Sequence, residues 1–396
     1  MNVLIIIAMN YPGGSAAANR IQKIARGLAR AGEKPMVLAA RIAAHELETA
    51  IETEWQYDDY NIPYKHVVWP TTGSFLPYNA RLILHLRPRF QNAIETLAEQ
   101  TLPDAVIIYG HSGLISNPIR KFFQRREIPV VMDITEYHPT TIRRMLMTQS
   151  FDQWLCMKRL LPKLDGVIAI SRWLEEFARR HKRPVLRIPA LGEGLEEPLS
   201  SSAESEKFTM TYLGSMIERD LPHSLLDGVL AAASRGLELD LVIVGRLEAT
   251  SAGRAARARI KGDPRLCKCV TVTGWLTDEE MRSRLRESDC FVLLRDDEIQ
   301  TRACFPTRLP DYLQSAKPTI LSAVGDVNLY FRHRQNAWLL KPGSGPGELA
   351  DALIYLHEHP HEASEIGRAG FHTCLEELGY QQHGSRLSEF LTKLVV

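Results

Sequence analysis

The chain has 396 residues, enough for two domains with separate cores. A formal charge of +1 excludes a general nucleic-acid binder, which carries a large basic excess, and 45% hydrophobic with 24% charged residues fits a globular enzyme. The six cysteines are scattered, and Cys267 and Cys269 lack the second pair of a zinc site, so free thiols in a reducing compartment are expected.

Val3 to Met9 is apolar throughout rather than alternating, which predicts a buried parallel strand. The run is too short to span a bilayer, has no basic region ahead of it, and no stretch of 18 apolar residues occurs elsewhere. A cytoplasmic location is expected, with contact at the inner face of a membrane left open. Tyr11-Pro12-Gly13-Gly14-Ser15 reads as a loop, and Ala16 to Ala31 as a helix stopped by Gly32. Strand, glycine loop and helix is the unit that places ligands at strand ends, although the third glycine of the dinucleotide fingerprint is missing. Gly13 and Gly14 therefore fit either backbone lying close to a sugar phosphate or a tight turn.

Lys34 to Ala39 is a second strand. The residues after it carry Trp55, Tyr57, Tyr60, Tyr64, Trp69 and Tyr78 without a regular period, and read as loop whose aromatics pack locally or stack on a sugar. Arg81 to Gln100 reads as a helix broken at Pro88, with Arg81, Arg87 and Arg89 beside Leu82, Leu84, Leu86 and Phe90. That mixture suits a solvated face or an anionic membrane surface. Ala105 to Tyr109 is a strand, and the turn Gly110-His111-Ser112-Gly113 sets His111 at the carboxyl edge of the sheet. Pro129 to Ile134 is the next strand, after which Asp133 and Glu136 either orient sugar hydroxyls or cap the following helix. Arg143 to Leu164 is helical and mixes basic with apolar residues. Asp165 to Ile170 and Val185 to Ile188 complete the first sheet, with a helix capped by Ser171 between them. The adjacent pairs Asp58-Asp59 and Asp296-Asp297 read as solvated, and no metal ligand set is expected.

Leu191 to Lys207 is rich in Ser, Glu and Gly and reads as a linker between a first domain, 1–190, and a second, 208–374. Residues 375–396 form a final helix, possible to route back to the first domain. In the second half, strands are expected at 208–213, 240–244, 290–294, 319–322 and 336–340, alternating with helices, and 270–272 and 274–276 lead into a helix begun at Thr277. Alternation implies right-handed parallel crossovers: an α/β chain of two Rossmann-like domains facing across a cleft.

The second half centres on Phe305-Pro306-Thr307-Arg308-Leu309-Pro310-Asp311. Pro306 suits the first turn of a helix, and Lys317-Pro318 ends it. A helix start attracts anions, Arg308 adds a forked cation, and Asp311 an acceptor for sugar hydroxyls. The set suits a nucleotide-sugar diphosphate, or is an ordinary surface helix start.

These stretches, with Gly214-Ser215, Arg219-Asp220, Leu241-Val242-Ile243-Val244-Gly245, Val272-Thr273-Gly274-Trp275 and Phe291-Val292-Leu293-Leu294-Arg295, resemble glycosyltransferase family 4. The resemblance covers nearly the whole chain and is strongest over 208–342; Asp133-Ile134-Thr135-Glu136-Tyr137 resembles members that build bacterial surface polysaccharides. It implies the GT-B fold and a retaining, metal-independent sugar transferase with no cofactor beyond its nucleotide diphosphate sugar donor. The acceptor would be a glycan or a lipid-linked glycan, with peripheral contact to anionic membrane and no nucleic acid. By position, the resemblance makes Arg219 and Arg308 the diphosphate clamp and Asp311 the ribose ligand. His111 would lie near the reacting sugar, Gly13-Gly14 beside the donor phosphate, and Asp133 or Glu136 by the sugar and acceptor. Gly214, Ser215, Gly245, Phe305, Pro306 and Thr307 would line the donor. The chain departs from the family in having Ala303 where the first of two paired glutamates stands, Asp311 for the second, and arginine at both basic places. Alternatives are a decayed sugar-nucleotide-binding protein, suggested by Ala303, and a non-hydrolysing sugar-nucleotide epimerase.

Overall fold

Strands apolar on both faces, joined by helices, build two parallel sheets, one in each of two units. The computed structural model describes residues 1–13, 15–43, 54–70, 78–110, 112–139, 149–199 and 207–395. One unit comprises Met1–Leu191 with Tyr380–Val396, the other Gly192–Gly379.

The strands of the first unit are β1 (Asn2–Ile7), β2 (Lys34–Ala43), β3 (Gln56–Tyr57), β4 (Pro63–Pro70), β5 (Ala105–Tyr109), β6 (Val130–Ile134), β7 (Gly166–Ala169) and β8 (Val185–Arg187). They lie in the order β3-β4-β2-β1-β5-β6-β7-β8. All neighbours described are parallel except β3 with β4. In the centre Leu4 stands opposite Met36 on one side and Val106 on the other. The helices are α1 (Ala16–Arg30), α2 (Tyr78–Arg81), α3 (Arg87–Gln100), α4 (Gly113–Gln124), α5 (Gln149–Leu155) and α6 (Arg172–Arg179). Ser15 caps α1 by accepting from Ala18 N at 3.1 Å.

Two expectations are corrected here. The aromatic stretch after β2 is not all loop, since β4 is a full parallel strand on β2. Tyr64 is buried on it, with its ring edge-on to Tyr11 at 5.6 Å. The helix around Pro88 is not broken. A wide π turn, Leu82–Leu86, joins α2 to α3, and Arg87 N bonds to Leu82 O, five residues back. This shift of register accommodates a proline, which has no N–H and crowds the preceding turn.

The second unit holds β9 (Phe208–Leu213), β10 (Leu239–Val244), β11 (Val270–Gly274), β12 (Cys290–Leu293), β13 (Thr319–Ser322) and β14 (Trp338–Leu340). The order is β11-β10-β9-β12-β13-β14, all parallel. Its helices are α7 (Pro222–Ser234), α8 (Ser251–Gly262), α9 (Pro264–Cys269), α10 (Asp278–Glu287), α11 (Ile299–Ala303), α12 (Leu309–Leu313), α13 (Val327–Tyr330), α14 (Pro346–Glu358) and α15 (Pro360–Glu377). Strand order reverses between β9 and β12, so the loops leaving them diverge and open a crevice at the carboxyl edge.

The expected linker is partly built into this unit: Gly192 N bonds to Leu378 O at 2.8 Å and Leu199 N to Gln314 O at 3.0 Å. Residues 200–206 lie outside those described. Residues 375–377 end α15, so the last helix, α16 (Tyr380–Val395), is shorter than expected and belongs to the first unit. It meets α1 backbone to backbone. A Cβ on Gly27 would stand 2.6 Å from Tyr380 O and 2.9 Å from Gly384 Cα, so glycine permits the contact. Among the described residues no helix is long and apolar enough to cross a membrane.

Candidate functional site

The carboxyl end of β9 delivers a buried carboxylate. After Leu213 the chain turns through Gly214 and Ser215 into a 3₁₀ turn, Glu218–Asp220. Asp220 is 2% exposed. Its Oδ2 accepts from Tyr212 Oη and from Arg308 Nη2, the latter at 3.1 Å. Arg295 Nε lies 2.9 Å from Oδ1 as an ion pair. Arg308 Nη1 also donates to Leu213 O, and its guanidinium lies over the Tyr212 ring, 4.9 Å from the centroid. Tyr312 backs the arrangement by accepting from Leu213 N at 2.7 Å, with its ring stacked on Phe291 at 4.6 Å.

Two glycines make room. At Gly214, φ +130°, a Cβ would stand 2.7 Å from Arg308 Nη1, and at Gly245 one would stand 2.4 Å from Gly214 O. Thr250, ahead of α8, ties this turn down by donating to Ser215 O at 3.2 Å.

Burial opposes charge on Asp220, yet Arg308 and Arg295 outweigh it and hold its carboxyl below the usual range. Burial also opposes the Arg308 cation, but Tyr212 and Asp220 overcome that and raise its pKa. Arg295 behaves differently. Burial lowers its pKa against the pull of Asp220, and Arg308 and Arg219 push the same way by repulsion. Two guanidiniums thus share one carboxylate, a cluster with surplus positive charge.

Arg295, expected as the first residue of a polar loop after the strand 290–294, is instead buried; an arginine straight after five apolar residues is the signal of a buried cation. Arg219, half-buried, adjoins Asp220 in the 3₁₀ turn. The helix expected to start at Pro306 is a single turn that begins at Leu309, so Thr307 is an exposed loop residue and not a helical backbone donor. Pro306 is buried, and Phe305 is buried edge-on to Tyr330 at 5.6 Å. Asp311 is half-buried within that turn. Ala303 has no exposure.

The other expected residues lie in the first unit. Gly13 has φ +81° and open space around a would-be Cβ, so its backbone conformation, not crowding, demands glycine. Gly14 and His111 lie outside the described residues. Asp133 is not available to a sugar. It has no exposure and both oxygens are taken by Arg20, Nε to Oδ2 at 2.7 Å and Nη2 to Oδ1 at 2.9 Å. Arg20 also donates to Pro189 O at 2.7 Å and Ile188 O at 3.0 Å, tying β6, α1 and the end of β8 together. Glu136 is half-buried and pairs with His138 at 3.0 Å. Asp58, expected to be solvated, is buried and accepts from Tyr11 Oη at 2.7 Å, while His66 Nε2 stands 2.6 Å from Tyr11 O. The two contacts fix the loop that carries Gly13. Asp152 accepts from Leu114 N at 2.7 Å in the first turn of α4. Among the described residues no group of His, Cys, Asp or Glu could hold a metal ion.

Two parallel-sheet units, with a cationic cluster at the strand-order reversal of the second, define an α/β chain of the GT-B fold. The structure matches sucrose-phosphate synthase from Thermosynechococcus elongatus with a TM-score of 0.71 at 15% identity, covering 100% of this chain and 99% of that one. It matches Anabaena HepE in complex with UDP-glucose with a TM-score of 0.68 at 14% identity, covering 99% of each. In sequence, residues 207–359 match the family described as Glycosyl transferases group 1. D-rhamnosyltransferase WbpZ of Pseudomonas aeruginosa is 25% identical over 247 residues, 59% of this chain. The match spans 60% of that relative's own length.

Proposed function

We propose that the chain is a glycosyltransferase that moves a sugar from a nucleotide diphosphate sugar to a hydroxyl of a glycan or lipid-linked glycan. The observation that carries this is the Asp220-braced pair of arginines at the carboxyl edge of β9 and β12. It lies within the segment that matches the glycosyl transferase family. A WbpZ-like sequence and a fold shared with a UDP-glucose complex support the donor class.

Breaking the bond from sugar to diphosphate builds positive charge on the sugar and negative charge on the leaving phosphate. Fixed guanidiniums stabilise the latter without reorganising. Arg308 is the partly exposed member, at 19% of its side chain, and meets the phosphate. Arg219 adds charge, and Asp311 holds hydroxyls of the nucleotide. In this reading transfer is metal-independent and retains anomeric configuration, with the leaving phosphate taking the acceptor proton. The product belongs to a bacterial surface polysaccharide, and the enzyme works in the cytoplasm at the inner face of the membrane.

The membrane part rests on the π turn, where Ile83 and Leu84 are 39% and 59% exposed between half-buried Arg81 and Arg87. Arg89 does not contribute, because its Nη1 donates to Val68 O at 3.0 Å. Arg143 and Arg144 lie outside the described residues. One observation favours a second reading, a binding protein without transfer: Ala303 supplies no acid at the family's glutamate position.

The test is transfer from a panel of nucleotide sugars, with EDTA present. Arg308→Ala should cost about 10²–10³ in rate, with Arg308→Lys milder because charge remains and the fork is lost. Near-normal transfer by the alanine variant overturns the assignment.

A further inference from the structure

We infer that Asp220 is a positioning residue which, pinned by Arg295, aims Arg308 at the diphosphate. This deepens the donor-site reading and rests on it. Asp220 touches no open surface and lies between two cations of different exposure. Arg295 has 6% of its side chain exposed, whereas Arg308 keeps 19%. Arg295 is thus the internal counter-charge and Arg308 the presented one. Arg295 Nε and Nη1 and Asp220 Oδ1 are buried and make no hydrogen bond among the described residues, so charge alone pairs Arg295 with Asp220.

The geometry divides the work. Arg295 sits on Oδ1, which leaves Oδ2 facing Tyr212 Oη and Arg308 Nη2. Arg308 Nη1 is fixed on Leu213 O, and the absent side chain of Gly214 admits it there. Two tethers at one end of the guanidinium set its plane. A lone carboxylate would cancel Arg308, and two unbridged arginines would repel one another. With all three present one positive charge remains, and Arg308 is the member that meets solvent.

The consequences differ in sign. Asp220→Asn keeps the shape and removes the negative charge. Binding of a nucleoside diphosphate should tighten, on the order of 3–10-fold, because a nearby like charge is gone. At the same time kcat should fall about 10²-fold, because Arg308 is no longer held in line. Arg295→Met leaves Asp220 to neutralise Arg308, and binding should weaken about 10-fold. The double variant should bind more tightly than Arg295→Met alone. Tyr212→Phe, which removes only one hydroxyl, should move kcat in the same direction as Asp220→Asn but less.

The experiment titrates UDP, GDP and inorganic pyrophosphate into wild type and these variants by calorimetry, with kcat and KM measured on the best donor. Circular dichroism reports the folded fraction of each. Opposite shifts in affinity for the two single variants, rescue in the double, and loss of kcat without loss of affinity in Asp220→Asn support the brace. A merely structural Asp220 would lower the folded fraction and leave affinity per folded molecule unchanged. That result, or a double variant that binds no more tightly than Arg295→Met alone, overturns the brace while the donor site stands. Failure of wild type to bind any of the three probes overturns the donor-site reading and the brace with it.

Discussion

Asp133 is the sharpest place to separate a substrate ligand from a structural one. Replacing it with Asn keeps its volume and removes the charge that faces Arg20. The pair is bidentate at 2.7 and 2.9 Å, and its members are 0% and 4% exposed. Arg20 would remain buried with two backbone carbonyls, Ile188 O and Pro189 O, and a neutral amide. Breaking one side of such a pair costs about 3–5 kcal/mol, because an uncompensated charge stays inside. Taking about 4 kcal/mol, the unfolding equilibrium of the first unit moves on the order of 10³-fold. Removing both charges, Asp133→Leu with Arg20→Met, should recover part of that loss.

Since two units need not unfold together, the assay is native-state hydrogen exchange read on β6 and α1, beside urea unfolding. Expected are faster exchange in both segments and, for the folded fraction, an unchanged KM for the acceptor. An Asp133→Asn variant with wild-type exchange and a tenfold higher acceptor KM would refute the structural assignment.

Gly214→Ala places a Cβ 2.7 Å from Arg308 Nη1 at φ +130°, so it should cost about 1–3 kcal/mol and a large part of the activity, measured by urea titration and transfer rate. The Asp220 carboxyl is held below its unfolded value, against burial, by Arg308 and Arg295. Its contribution to stability is therefore full above the unfolded value of about 4, and is lost as pH falls through the lower folded value. Melting curves between pH 7 and pH 2 should show an acid limb that Asp220→Asn flattens; identical limbs would remove Asp220 from the account. Ile83→Ser with Leu84→Ser should abolish sedimentation with anionic vesicles at low salt while leaving the fold intact, since both side chains are exposed. Equal sedimentation would place any membrane contact elsewhere.

The alternation of strands and helices was legible because buried parallel strands write themselves as unbroken apolar runs, such as Val3 to Ile7 and Cys290 to Leu293. β4 was not. Tyr64-Lys65-His66 breaks the run and prolines stand at both ends, so its strand character comes from pairing with β2. The glycine turns and Arg308 could be found from local spacing. What those residues touch could not be. Asp133 meets Arg20 across 113 positions, Asp58 meets Tyr11 across 47, and Asp220 meets Arg308 across 88. No local pattern marks a carboxylate that folding will close over. The short α12 was overestimated for a related reason: Pro306 suits a helix start, but Pro310 suits one as well, and the chain uses the later proline at the first turn.

The most direct test of the central claim is a transfer assay with purified wild-type chain and a panel of nucleotide diphosphate sugars, in EDTA, with glycan and lipid-linked acceptors. Nucleoside diphosphate and glycosylated acceptor are both quantified by mass spectrometry. The account predicts one donor that yields the two products in equal amounts, with the sugar's anomeric configuration kept and the yield falling about 10²–10³-fold in Arg308→Ala. Tight binding of a donor with no transfer and no hydrolysis, or transfer that EDTA abolishes and manganese restores, would contradict it.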